Sequence, residues 1–200
     1  MSDEEEIDEQ LGGMEIQVGS GPDEDIEDTV ALPDTLPVLP LKNTVLFPYL
    51  LSPLLVNTPA SQRLIDDVLV RPDRLMVCTA VKREVSGPPG AEDVYSVGTV
   101  LRIVKMLKFP DDSYRLLVQG VARVELGEFV ETEPFLRAEV SRVEENGEED
   151  DSVEMTALVR SVAQQFSTLV AESSRLSDEL QVLVANLDDP SKLADLVASN

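Results

Sequence analysis

The 200-residue chain carries 39 acidic and 16 basic residues, giving a formal net charge of −23 with no histidine. That balance disfavours nucleic acid and anionic membranes as partners, because both need clustered Lys and Arg. Without histidine there is no imidazole-based acid–base catalysis, Ser–His–Asp triad or histidine metal ligand. The single Cys78 excludes an intramolecular disulfide and a multi-cysteine zinc site.

The charge is unevenly spread. Residues 1–34 hold thirteen acids and no base, leaving 26 acids against 16 bases in the remainder. This leader has four glycines and no sustained apolar period, so it is expected to be a disordered, solubilising tail. It has neither the basic start nor the apolar run of a signal peptide, and no stretch approaches the roughly 20 apolar residues of a membrane span. The expected compartment is the cytoplasm.

Order is expected from Leu36. The run Leu36–Leu41 is apolar but holds Pro37 and Pro40, which reads as an edge strand or strand entry. Val45–Val56 reads as two short strands broken at Pro48. Thr58-Pro59 then opens a helix as N-cap and first helical residue, with Leu64, Ile65, Val68 and Leu69 on one face and Pro72 ending it. Leu75–Val81 is a buried strand in which Cys78 acts as a small hydrophobe. Residues 82–93 form a loop. Tyr95–Phe109 is a long strand apolar on both parities and interrupted at Gly98, as suits a curved or closed sheet. Pro110-Asp111-Asp112 turns it into Tyr114–Gln119, a hairpin. Val121–Leu126 continues after Gly120, Gly127 marks a bend, and Phe135–Val143 alternates with period two.

After the charged linker Glu144–Asp151 the period becomes helical. Met155, Leu158, Val159, Val162, Phe166, Leu169 and Val170 share one face of a five-turn helix. Leu176–Leu187 forms a second helix, and Asp189-Pro190 starts a third that carries Leu193, Leu196 and Val197. That last helix lacks stop signals before Asn200, so the chain is expected to be cut from a longer protein. The expected domains are a leader over 1–34, a sheet domain over 35–145 and a helical subdomain over 146–200.

No phosphate-binding loop or dinucleotide fingerprint occurs. The acidic pairs Asp66-Asp67, Asp111-Asp112 and Asp188-Asp189 fall on a helix surface, a turn and a helix start, where structural roles suffice. No catalytic, cofactor-binding or metal-binding residue is therefore assigned.

Five stretches, in order, resemble the N-terminal domain of Lon-type ATP-dependent proteases. They are Leu36–Pro48 (LPVLPLKNTVLFP) with Pro53–Val56, Tyr95–Val100 (YSVGTV), Phe109–Ser113 (FPDDS), Val118–Arg123 (VQGVAR) and Asp189–Ala198 (DPSKLADLVA). Asp112 stands where the family usually has glycine. The resemblance implies an α+β fold: a small PUA-like β-barrel with one inserted helix, followed by a helical bundle segment. It also implies a non-catalytic domain that captures unfolded or degron-bearing client proteins and helps assemble a hexamer. In the family an ATPase and a Ser–Lys protease domain follow. The alternative is a stand-alone adaptor without either.

A recogniser of unfolded chains needs exposed apolar surface with loose geometric demands. The expected client contacts are apolar residues of the proline-interrupted stretches, namely Leu41, Phe47, Tyr49 and Leu50, together with Met106 and Phe109 near the hairpin.

Overall fold

A computed structural model of the chain describes residues 31–111, 113–143, 152–174, 176–187 and 189–200. The expected acidic tail up to residue 30 and the linker 144–151 lie outside the described residues. What is described is a mixed α/β structure, dominated by one sheet and carrying four helices.

The elements in chain order are β1 (Thr35–Leu41), β2 (Leu51–Val56), α1 (Pro59–Leu69), β3 (Leu75–Ala80), β4 (Val97–Lys108), β5 (Tyr114–Glu131), β6 (Leu136–Arg142), α2 (Val153–Glu172), α3 (Glu179–Ala185) and α4 (Pro190–Ala198). A single 3₁₀ turn, Ala91–Asp93, interrupts the loop before β4. The strands order as β2-β5-β4-β3-β1-β6, and β6 pairs back onto the far half of β5. The ladder from β5 through β4, β3, β1 and β6 therefore closes on itself. All pairings are antiparallel except β1 with β3.

Closure explains why β1 and β3 read as continuous apolar runs, since both of their faces are covered. One parity (Leu36, Val38, Leu75, Val77) points into the closed sheet with Val100, Ala122, Val124 and Ala138. The other parity (Leu39, Met76, Cys78) packs outward against Leu64, Ile65 and Val68 of α1, together with Leu54 and Val56 of β2. Thr58 starts α1 as expected, its hydroxyl accepting from the Ser61 amide at 3.3 Å.

Three expectations are corrected. First, β1 is not an edge strand, since it lies between β3 and β6. Its prolines are tolerated because the two ladders are staggered: β6 pairs with residues 35–38 and β3 with 38–41, so Pro37 and Pro40 each face one paired neighbour only. Second, Val45–Phe47 is not a strand. That segment bends across the sheet, and the Leu46 carbonyl accepts from the Thr99 hydroxyl at 2.7 Å. Third, Gly120 does not separate strands, and the bend expected at Gly127 is a register shift within one strand. β5 runs through both for 18 residues, with register shifts near each.

Gly120 is where segment 47–50 meets the sheet. A Cβ there would collide with the Phe47 carbonyl and the Pro48 backbone. In exchange for that close approach, the Tyr49 amide donates to the Gly120 carbonyl (3.0 Å) and the Gly120 amide donates to the Leu50 carbonyl (2.9 Å). These bonds hold Tyr49 at φ 65°, a left-handed conformation that a bulky residue adopts only under constraint. Leu50 is thereby aimed at the helices, whose core is Phe166, Val170, Leu180, Val184, Leu193 and Leu196. Three residues beyond Gly120, Arg123 Nη2 donates to the buried carboxylate of Asp195 on α4 at 2.6 Å. Asp189 caps α4, accepting from the Ser191 and Lys192 amides.

Gly120→Ala is expected to destabilise the chain by about 2–3 kcal/mol, since the obstacle is backbone and cannot rotate away. A shifted urea midpoint at unchanged slope checks this. Arg123→Ala leaves Asp195 buried without its cation. The expected cost is about 2 kcal/mol, below the 3–5 kcal/mol of a fully buried pair because Arg123 keeps partial exposure. Faster amide exchange in α4 than in β5 reports where the loss falls.

Candidate functional site

A cleft of about 310 Å³ opens between the 44–47 segment and the start of β4, with Cys78–Ala80 of β3 as its floor. This lies at the small end of the range for ligand pockets. Its walls are set by backbone bonds. Val81 donates to the Leu41 carbonyl at 2.9 Å and Tyr95 to the Ala80 carbonyl at 3.0 Å. The Thr79 hydroxyl lies 2.9 Å from the carbonyls of both Tyr95 and Val97. Gly98 lets β4 press against β3, because a Cβ there would sit 2.6 Å from the Cys78 carbonyl and 2.7 Å from Val77 Cγ1.

The cleft is lined mainly by apolar atoms and rimmed by apolar side chains held in solvent: Val45 is 59% exposed, Tyr95 52% and Val97 49%. Arg123 is the one basic residue in the lining. Cys78 lies beneath, its thiol pushed up to about 12 by burial, so it stays protonated and is no nucleophile at neutral pH. The surface can therefore make apolar contacts and backbone hydrogen bonds.

The six residues expected from sequence fall in four places. Leu41 and Phe47 line the cleft. Tyr49 and Leu50 turn towards the helices, with Leu50 packing on the helical core and Lys192 Nζ 4.7 Å from the Tyr49 ring centroid. Met106 packs against the core beneath α1, and Phe109 sits at the β4–β5 turn with the Arg115 guanidinium 4.5 Å from its ring centroid. Sequence reasoning missed Val45, Tyr95 and Val97. The available signal was the parity of Tyr95 and Val97, opposite to the inward pair Gly98 and Val100.

Known proteins share this architecture and sequence. Residues 35–200 match the family model described as the ATP-dependent protease La (LON) substrate-binding domain. The chain is 38% identical over 170 residues to the Lon protease of Desulfovibrio desulfuricans, covering 85% of this chain and 19% of that protein. It is 39% identical over 169 residues to the Lon protease of Geobacter metallireducens, covering 84% and 20%. The chain thus spans about a fifth of the length of these relatives. Its fold is similar to the N-terminal domain of a Mycobacterium avium complex Lon protease, with a TM-score of 0.63 at 22% identity over 80% of each chain.

Cys78 is expected to resist a maleimide at neutral pH in the folded chain and to react fully in urea, as mass spectrometry would show. Stability from the protonated thiol is complete below its ordinary value near 9.0. It declines as pH rises from there towards 12, where the unfolded chain ionises and the folded chain does not.

Proposed function

Because the chain belongs to the LON substrate-binding domain family, we propose that it captures protein clients for an ATP-dependent serine protease of the Lon type and cuts none itself. The clients are misfolded or degron-bearing chains. The observation that carries this reading is the apolar cleft whose rim residues Val45, Tyr95 and Val97 stand in solvent. Exposed apolar groups on a fixed frame suit partners that share hydrophobic segments but no common shape.

Leu41 and Phe47 with the three rim residues are the proposed contacts, and Phe109 at the hairpin is a second, smaller one. Tyr49, Leu50 and Met106 already pack within the chain and are left out of the proposed surface. The sheet of 35–145 is proposed to be a PUA-like barrel that presents the cleft, and the 146–200 helices to brace it. In a cytoplasmic hexameric parent, six weak sites acting together would supply the tightness that one cleft lacks.

The test is binding of a reduced, denatured model protein to the chain, with cross-links mapped. Val45→Ser with Tyr95→Ser is expected to weaken binding about tenfold, the equivalent of 1.4 kcal/mol, with the urea midpoint unchanged because both side chains are exposed. Unchanged binding, or cross-links absent from 41–47 and 95–97, would refute the assignment.

A further inference from the structure

The proposed client cleft leaves a second apolar surface unexplained, on the other side of the sheet extension. Beyond the closed barrel, β2, the first half of β5 and the second half of β4 form a three-stranded extension. Its cross-strand rows alternate between faces. The row Leu54, Leu116 and Met106 packs inward beneath α1. The adjacent rows point the other way. Leu55, Arg115 and Leu107 lie side by side, as do Pro53, Leu117 and Lys105, with Gln119 and Arg102 next. Leu55 is 57% exposed and Leu107 41%.

This face is apolar and cationic at once, and none of these rows holds a carboxylate. Arg102, Lys105 and Arg115 make no ion pair among the described residues, whereas Arg71, Arg83, Arg123 and Arg137 all do. In a chain of net charge −23, three such cations on one small face run against the overall field.

We propose that this face is the docking surface of the chain's own acidic N-terminal segment, residues 1–30. The segment carries twelve acids and no base, interspersed with Ile7, Leu11, Met14, Ile16 and Val18, so it complements the face in both charge and apolarity. It also enters at the right place. Val38 pairs with Val77 and Leu75 with Arg102, so the start of β1 is level with Arg102 and two strand spacings away, about 10 Å. Leu32, just after the segment, already packs on the inner core at that end. Thirty residues at about 3.3 Å each reach across the whole face. Tethering raises the effective concentration of the segment to the millimolar range, enough for weak contacts to hold.

The test places a nitroxide on the full chain through Gly12→Cys, with Cys78 shielded from the reagent by burial. Paramagnetic broadening is then read at backbone amides. Broadening centred on residues 55, 102, 105, 107, 115 and 117 is expected. It should be lost in 1 M NaCl, where charges are screened within about 3 Å, and lost in Lys105→Glu, whose side chain is exposed. Broadening that is absent, spread evenly over the surface, or indifferent to both salt and Lys105→Glu overturns the proposal. So does broadening seen only when a spin-labelled chain is mixed with a separate isotope-labelled chain, which would make the occupant a second copy.

Discussion

The structure turns on the absence of a side chain at Gly120. There the path from β1 to β2 crosses β5 at backbone distance, exchanging two hydrogen bonds over a gap no Cβ could share. The crossing holds Tyr49 left-handed, sends Leu50 into the helical core and leaves Leu46 and Phe47 draped over the sheet as one wall of the cleft. Arg123 lies three residues further along the same strand and ties α4 to the sheet through Asp195. One short stretch of β5 thus positions both the cleft and the helices.

A second consequence follows from closure. A sheet that closes has an inside, and a helix laid on its outside gives β1 and β3 two buried faces. These strands supply rigidity, while the segments that join them supply exposed surface. Tyr95 and Val97 sit at such a junction, tied by the Tyr95 amide to the Ala80 carbonyl and by their own carbonyls to the Thr79 hydroxyl, and both side chains remain exposed. A polar cleft would select by donor and acceptor pattern. An apolar one selects for hydrophobicity alone, in keeping with the clients proposed above.

Electrostatics shape the remainder. Several cations are spent locally: Arg137 bridges Glu131 and Asp67, and Arg71 returns to Asp67 one helical turn away. Partly exposed pairs of this kind stabilise modestly. They do leave Arg102, Lys105 and Arg115 as a distinct positive face, opposite in sign to the segment that precedes β1.

The sequence by itself determined where two of the helices begin, which runs are apolar, and that this chain holds no histidine. Thr58 and Asp189 cap helices as their identities require, because capping is decided within a few residues. Family membership was legible for a related reason, since Gly98, Gly120, Arg123 and Asp195 fall within the stretches that carry the resemblance, and close packing or an ion pair restricts the residue type at each. Only the tertiary structure decided that β1 is internal, that 45–47 crosses the sheet instead of joining it, and that the six apolar residues expected as contacts divide among the cleft, the helical core, the core beneath α1 and the hairpin. Periodicity reports that a residue is apolar on a given face. Whether that face meets a helix, another strand or solvent depends on partners tens of residues away, and the stretches that hold Phe47 and Tyr49 carry no local signal of where they will be covered.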